Sequence, residues 1–247
     1  MNAPRFTTAP GVEAMLFGAP TQLDIRIEPA PRADSLTKAI DERWEALRLA
    51  NPRFHDGEVL SVLSWHTTSI TCKRASFREL AVRPQIPTGC ELLAMTAVVS
   101  ARGSDGHPRI LLGRRHRETR VYGGLWELGP SGGIPPPEGN VVTTADLLRQ
   151  VEAELHEEAG LSLAGADITL AGIVRDLRAF SLDAAFRVVL PVPLADLRPG
   201  ERDWEYEEIR WLTPDEALSQ ANSHPAEFIP PTRLMLQDRR WLVPPCT

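Results

Sequence analysis

The chain has 247 residues, of which 43% are hydrophobic, and a formal net charge of −6 at pH 7. This length allows one large domain or two smaller ones with a sizeable core. The negative charge argues against a nucleic-acid partner held through its phosphates. No window reaches the roughly 18 apolar residues of a membrane span, and the first residues do not follow the signal-peptide pattern. We therefore expect a cytoplasmic protein without a membrane partner.

The three cysteines, Cys72, Cys90 and Cys246, are widely spaced and form no CxxC pair. This arrangement indicates neither a disulfide framework nor a zinc site. We predict free thiols.

Residues 1–88 are predicted to form a small α+β module. Residues 1–10 contain two prolines and are expected to be loose, with order beginning near Val12. The spacing of apolar residues predicts, in order, a strand over 22–28, a helix over 35–50 and strands over 58–67 and 69–74. No catalytic motif is evident here, and His55 and His66 are expected to be surface or packing residues rather than ligands.

Residues 89–247 are predicted to form a second domain, in which helices flank a mixed sheet. The predicted strands cover 91–100, 109–113, 124–128, 167–174, 184–192 and 208–212, and the predicted helices cover 145–159, 214–220 and 225–237. Helices and strands do not alternate regularly, which disfavours a doubly wound nucleotide-binding fold. The pattern favours the α/β class, arranged as an α/β/α sandwich.

The helix predicted over 145–159 carries an unusual concentration of carboxylates. At 100° per residue, Glu154, Glu157 and Glu158 fall on one face of it. Arg149 is the only lysine or arginine in this helix. Charge runs are usually solvated faces, but three uncompensated carboxylates at the negative end of the helix dipole favour a bound cation. An all-oxygen cluster selects a hard divalent ion, Mg²⁺ or Mn²⁺.

Residues 132–161 resemble the signature of the Nudix hydrolases, G-x5-E-x7-R-E-U-x-E-E-x-G-U, in which U is apolar. Gly132 and Glu138 match its first half, and residues 153–161 match its second half except at the first position. Fourteen residues rather than seven separate Glu138 from Ala153, and Ala153 stands where the signature has arginine. The likeness implies a Nudix-type α/β/α sandwich after the N-terminal module.

The resemblance also implies roles for the acidic residues. Glu154, Glu157 and Glu158 would be metal ligands and catalytic residues. The water would be oriented by Glu138 or by a loop glutamate, for which Glu205 is the best positional match. Arg149 lies one turn before Ala153, and we predict that it replaces the missing arginine by pairing with Glu152 or Glu154.

Several further residues could complete a diphosphate site. Guanidinium groups bind phosphate bidentately, and local density favours Arg115 and Arg117, just before the glycine loop, and Arg175, just after the strand that follows the helix. With them, Gly132 and Gly133 of the loop are predicted to bind the substrate. Arginines in so arginine-rich a chain are more often surface residues. The aromatic side chains that could stack on a base or sugar, but that are more often core residues in strands, are Tyr122, Trp126 and Tyr206.

The order of elements, together with the runs NPRFHDGEVLSV and ITCKRASFREL, is similar to the UDP-glucose pyrophosphatase branch of the Nudix hydrolases. Members of that branch share the expanded signature and lack the arginine. The implied reaction is Mg²⁺-dependent hydrolysis of a small-molecule nucleotide at its diphosphate bridge, turning a UDP-sugar into UMP and a sugar 1-phosphate. Two alternatives remain: hydrolysis of coenzyme A or ADP-ribose, since LLGRRHRETRVYGG partly resembles the coenzyme-A-cleaving branch, and a Nudix-fold sensor that binds a nucleotide without cleaving it.

Overall fold

One mixed sheet of thirteen strands organises the computed structural model, which describes residues 4–19, 21–30 and 36–242. The strands are β1 (Arg5–Ala9), β2 (Val12–Leu16), β3 (Asp24–Ile27), β4 (Glu58–His66), β5 (Ser69–Ser76), β6 (Leu92–Arg102), β7 (Pro108–Arg115), β8 (Trp126–Leu128), β9 (Ser131–Gly133), β10 (Val141–Val142), β11 (Asp167–Asp176), β12 (Ser181–Pro193) and β13 (Tyr206–Leu212). The α-helices are α1 (Thr37–Ala50), α2 (Phe77–Val82), α3 (Thr144–Ala159), α4 (Pro214–Ser223) and α5 (Pro230–Leu236).

Strand β6 is the centre of the sheet. Along one edge it pairs in parallel with β12, and the sheet continues from there through β11, β2 and β1. Its other edge is shared along its length by β4, β9 and β7. The end of β6 that pairs with β9 therefore opens towards the loops before α3, while β7 leads on to β8 and β13.

Helices cover both faces of this sheet. Side chains of β6 alternate between the faces, as they must in a strand: Met95 packs in one core with Val151 of α3, whereas Val98 packs in the other with Ala217 of α4 and Leu234 of α5. The predicted α/β class and the layered arrangement around a mixed sheet are confirmed.

Strand pairing crosses the predicted boundary between residues 88 and 89. Strand β2 pairs with β11, β3 pairs with β10, and Ser61 of β4 lies opposite Leu92 of β6. The larger core likewise joins residues from both sides of the boundary. The described residues before the boundary therefore share a sheet and a core with those after it, and α1 and α2 add a small cluster of their own beside it.

Two local predictions were wrong. Residues 1–10 were expected to be loose, but Arg5–Ala9 forms β1, which joins β2 in a hairpin through Gly11 at φ 78°. Residues 1–3 lie outside the described ranges. The helix predicted over 225–237 is instead a 3₁₀ turn, Pro225–Glu227, followed by α5, because residues that precede proline are forced into extended backbone.

Cys72 and Cys90 are buried free thiols, as predicted, while Cys246 lies outside the described residues. Burial raises the pKa of Cys72 to about 12 and that of Cys90 to about 11, so both stay protonated. Within the described ranges, every helix is too short or too polar to span a bilayer.

Candidate functional site

Helix α3 has well-defined ends, which fix where its side chains point. At its start, Thr143 and Asp146 form a reciprocal capping box, and at its end Gly160 adopts the left-handed conformation at φ 66°. Val151 and Leu155 are fully buried against the sheet. The helix is therefore held at a rotation that turns its last two turns towards the β8–β9 connection.

Glu158 is buried at the end of α3, with 1% of its surface exposed. Its Oε2 accepts a hydrogen bond of 3.1 Å from the backbone N–H of Ser131, whereas its Oε1 has no partner among the described residues. Burial, followed by the charges of Glu127 and Glu154, raises the pKa of Glu158 well above its usual value. A buried carboxylate oxygen without a donor is costly, so this atom indicates a missing cation or proton.

Glu154 lies one turn earlier and packs directly on Gly132 of β9. Its Oε1 accepts a hydrogen bond of 2.6 Å from the Gln150 amide, and a Cβ added to Gly132 would lie 1.6 Å from that oxygen. Glycine is therefore required by the close approach of the carboxylate. Burial, followed by the repulsion of Glu205 and Glu157, raises the pKa of Glu154 to about 7.

A third carboxyl comes from the loop before β13. The loop is tied to the end of α3, because Asp203 N donates to Glu157 O over 2.7 Å and Gly200 N donates to Gly160 O over 2.7 Å. This attachment brings the Glu205 carboxyl near Glu158, and the charge of Glu205 contributes to the raised pKa of Glu158. Burial also raises the pKa of Glu205.

Glu127 of β8 completes the acidic cluster, although no motif in the sequence identified it. Its Oε1 accepts a hydrogen bond of 2.6 Å from Arg115 Nη1 and one of 2.9 Å from the Tyr206 hydroxyl. Glu127 and Arg115 are 3% and 13% exposed, so this ion pair is buried. Arg115 is the one cation among the groups that most affect the pKa of Glu158, against three carboxyls. The cluster therefore contains more acidic groups than basic ones.

The cluster lies at one end of a cavity of about 430 Å³. Glu127, Glu154 and Glu205 line it, and so do both glycines of β9 and Arg115. The loop after α1 contributes Arg53 and His55 to the cavity lining. The predicted acidic residues, the glycine loop and the N-terminal segment thus meet around one space of the size that small-molecule sites usually have.

Several predicted site residues lie elsewhere. Glu138 and Glu157 are exposed and line a separate groove with Arg149, although Glu157 is close enough to affect the pKa of Glu154. Arg117 is exposed, with its Nε 3.8 Å from Glu207. Arg175 is paired bidentately with Glu91 and also with Glu13, away from the cavity. Of the three predicted phosphate-binding arginines, Arg115 is the one that lines the cavity.

The predicted partner of Arg149 was wrong. Its guanidinium pairs with Asp146, three residues earlier, and is largely exposed, rather than pairing with Glu152 or Glu154. The amide of Gln150 instead occupies the position next to Glu154. The reason is local: Asp146 is fixed by the capping box on the same side of the first turn, within reach of an i+3 side chain.

The aromatic residues considered for base stacking are core residues. Tyr122 and Tyr206 are buried, and their hydroxyls donate to Asp176 and Glu127. Trp126 is also buried. Trp204 instead lines the cavity and is 36% exposed, with the Arg53 guanidinium 4.5 Å from its ring centroid. Its position in the exposed acidic run before β13 was the available sequence signal.

Within the described residues, no three histidine, cysteine, aspartate or glutamate side chains converge as tightly as bound-metal ligands do.

No family model matches the chain, and no curated protein matches it either. Among solved structures, it is similar to a Nudix hydrolase from Alicyclobacillus acidocaldarius at 16% identity and a TM-score of 0.43, covering 60% of this chain and 90% of that one. The Nudix hydrolase RenU from M. smegmatis is similar at 18% identity and a TM-score of 0.40, covering 60% and 82%. The Nudix domain of NrtR from Shewanella oneidensis, solved with ADP ribose, is similar at 21% identity and a TM-score of 0.38, covering 53% and 77%.

Proposed function

We propose that the chain is a divalent-metal-dependent hydrolase that cleaves the diphosphate bridge of a nucleoside diphosphate derivative. The observation that carries this proposal is the unpartnered Oε1 of buried Glu158, which lies beside Glu154 and Glu205 at one end of a cavity. A structural carboxylate would be expected to have a donor for each buried oxygen. Here α3 supplies Glu154 and Glu158, the loop before β13 supplies Glu205, and Gly132 of β9 leaves room for the Glu154 carboxyl.

The donor set fits a hard cation, because it offers carboxylate oxygens without nitrogen or sulfur ligands. Glu154, Glu158 and Glu205 would hold Mg²⁺ or Mn²⁺, with Glu157 at the outer edge, where its charge already acts on Glu154. When bound, such an ion neutralises phosphoryl oxygens and lowers the pKa of a coordinated water. The surplus of carboxyl groups over basic groups in the cluster favours binding of such an ion.

The protein's own residues orient the reactants. Arg115 neutralises Glu127 and anchors the cluster, and Tyr206 supports the same carboxylate from the strand behind it. Glu205, on its tethered loop, is the best candidate to accept a proton from the attacking water, since it lines the cavity whereas Glu138 lies in the exposed groove. Gly132 and Gly133 line the cavity without side chains and so leave room in it for a substrate.

For the substrate, we propose a UDP-sugar, cleaved to UMP and a sugar 1-phosphate. The support is the sequence resemblance of the expanded signature and of the elements before it, together with a cavity of about 430 Å³, which lies within the range typical of sites for such ligands. Coenzyme A and ADP-ribose have the same diphosphate bridge and remain the alternative substrates. A sensor that only binds a nucleotide would have no need to retain the costly charge of Glu158.

The test is a panel of nucleoside diphosphate derivatives, including UDP-glucose, ADP-ribose and coenzyme A, incubated with protein and Mg²⁺ and resolved by chromatography. UDP-glucose should give UMP and glucose 1-phosphate, with ¹⁸O from labelled water on one of the two phosphates. The variant Glu158→Gln should be inactive, and Glu152→Gln, on the exposed face of the same helix, is the matched control. UDP and free glucose as first products would refute the mechanism, and tight binding without turnover of any compound would support the sensor instead.

A further inference from the structure

The same cavity contains two polar side chains that the hydrolytic mechanism does not use. Asp183 of β12 and Arg120 of the loop between β7 and β8 both line the cavity. Asp183 Oδ1 and Arg120 Nη1 are buried and have no hydrogen-bond partner among the described residues. One is an acceptor without a donor, and the other is a donor without an acceptor.

The sheet leaves the Asp183 carboxyl uncovered. In the strand register, Asp183 lies opposite Ala94 of β6, and Ala94 lies opposite Gly133 of β9. Directly opposed residues share a face of the sheet, so the neighbours of Asp183 on this side are an alanine and a glycine, both of which line the cavity. Ser181 is the side chain close enough to hydrogen-bond the carboxyl. Space for a ligand therefore remains in front of Asp183.

Arg120 is fixed by its surroundings rather than by a carboxylate. Its Nη2 donates to the carbonyl oxygen of Ala179 over 2.9 Å, and the neighbouring Tyr122 holds the same loop to Asp176 through a hydrogen bond of 2.8 Å. Burial, followed by repulsion from Arg115, lowers the pKa of Arg120 to about 10, so the group remains charged at neutral pH. A preorganised guanidinium nitrogen without an acceptor is suited to a ligand oxygen.

We propose that Asp183 and Arg120 form a subsite for a neutral, hydroxyl-bearing part of the substrate, that is, a sugar. A sugar hydroxyl both donates and accepts, so it satisfies Asp183 and Arg120 with one kind of group. A phosphate at this position would be repelled by Asp183 and by Asp176 beside it, and it would leave the Asp183 oxygen without a donor. The subsite rests on the proposed function and deepens it, because it makes these two residues determinants of substrate choice.

The hydroxyls could belong to the ribose of the nucleoside or to the sugar attached to the diphosphate. Three probes separate these sources: UDP-glucose, the P²-methyl ester of UDP, which lacks the attached sugar, and the 2′,3′-dideoxyuridine analogue of UDP-glucose, which lacks the ribose hydroxyls. Values of kcat/KM are measured for the wild type, Asp183→Asn and Arg120→Gln. The exposed residues Asp167 and Arg198 provide the matched controls, Asp167→Asn and Arg198→Gln.

The wild type should have a higher kcat/KM for UDP-glucose than for one of the two truncated probes. This preference should fall at least about tenfold in both site variants, as expected when a buried polar partner is lost. It should not change in either control. The probe whose disadvantage disappears identifies the source of the hydroxyls. An equal loss on all three probes would overturn the subsite, because it would indicate a general catalytic or structural role. ADP-glucose serves as a further probe. If the site variants changed only the preference for UDP-glucose over ADP-glucose, the subsite would also be overturned, because Asp183 and Arg120 would then recognise the base.

Calorimetry distinguishes failure of this inference from failure of the proposed function. Binding of the three probes is measured in EDTA, where metal-dependent hydrolysis is stopped, with the same variants and controls. If the wild type hydrolyses none of the probes but binds UDP-glucose at least about tenfold more tightly than one truncated probe, and both site variants lose this difference, the subsite stands and the proposed hydrolysis fails. Equal affinity of the wild type for all three probes would overturn the subsite.

Discussion

At the first turn of α3, the Asp146 carboxylate accepts hydrogen bonds from the Thr143 N–H and hydroxyl and pairs with Arg149. At the last two turns, the carboxylates of Glu154 and Glu158 face other acids across a buried space. The same side-chain chemistry thus has opposite consequences: hydrogen bonds from Thr143 lower the pKa of Asp146, whereas burial raises that of Glu154 to about 7. The first end of the helix stabilises the fold, and the second stores electrostatic repulsion that a bound cation would relieve.

Glu158→Gln should have the largest effect on activity, because it changes the acidic end of α3 directly. Glutamine keeps an acceptor for the Ser131 N–H but removes the buried charge, so turnover should fall by at least about 100-fold. The metal-free variant should melt at a higher temperature than the wild type, because the raised pKa of Glu158 lowers the free energy of unfolding at neutral pH and glutamine removes that cost. Mg²⁺ should no longer raise the melting temperature. Steady-state kinetics and thermal melts with and without EDTA check these results, and near-normal Mg²⁺-dependent activity in Glu158→Gln would contradict the site assignment.

Asp183→Asn tests how a buried carboxyl affects the dependence of stability on pH. Burial raises the pKa of Asp183 from 3.8 to about 7. Between these values the folded protein keeps a proton that the unfolded chain has released, so this group lowers the free energy of unfolding as pH rises, up to a plateau above about pH 7. The variant should gain on the wild type across this window by at most about 1.4 kcal/mol per pH unit.

Urea denaturation in EDTA at several pH values measures this difference. Asp167→Asn, at an exposed position, should show no such window. A difference between Asp183→Asn and the wild type that stays constant with pH would show that the Asp183 carboxyl titrates normally.

Gly132→Ala should displace the Glu154 carboxylate at the acidic end of α3, because Gly132 lies beside it in the sheet. The added Cβ would lie 1.6 Å from Glu154 Oε1, so the carboxylate must move away from its place beside Glu158. We expect a loss of about 1–3 kcal/mol in the free energy of unfolding, typical of overpacking, and a drop in turnover of at least about tenfold. Gly139→Ala is the matched control, because its Cβ would meet no atom within 4 Å. Equal activity of the two variants would show that Glu154 need not be held there.

Thr143→Ala tests the stabilising end of the helix. Loss of the N-cap hydroxyl should lower the free energy of unfolding by about 1 kcal/mol and leave kcat per folded molecule unchanged. Thr213 caps α4 in the same reciprocal way with Glu216, so Thr213→Ala should have a similar cost. Chemical denaturation and kinetics on the same samples check both variants, and a specific loss of kcat in Thr143→Ala would mean that the two ends of α3 are coupled.

Arg149→Ala should have the smallest effect. Its pair with Asp146 is largely exposed, and exposed pairs contribute about 0.2–1 kcal/mol. Activity should not change, because Gln150 rather than Arg149 contacts Glu154. A clear loss of Mg²⁺-dependent activity would return Arg149 to the role that the sequence first suggested for it.

Much of the fold was predictable because it depends on neighbours in the chain. The spacing of Val151 and Leu155, the cap at Thr143 and the left-handed Gly160 fix α3 within a residue of its predicted bounds, and alternating apolar residues mark most strands. These signals are local. They could not predict that Arg5–Ala9 would form a strand, because β1 is a largely exposed edge strand that pairs with β2, and β2 is in turn held in the sheet by distant β11.

By itself the sequence determined that a glycine loop and an acidic helix follow one another, since motif spacing and helical periodicity place Gly132, Glu154 and Glu158. Only the tertiary structure decided which other charges meet them. Glu127 and Asp183 come from two other strands, and strand register brings them to the same cavity. The tether between Asp203 and Glu157 adds Glu205, which the sequence resemblance had also suggested. Periodicity specifies which face of an element is buried, whereas the partner across a sheet depends on long-range pairing that no local pattern encodes.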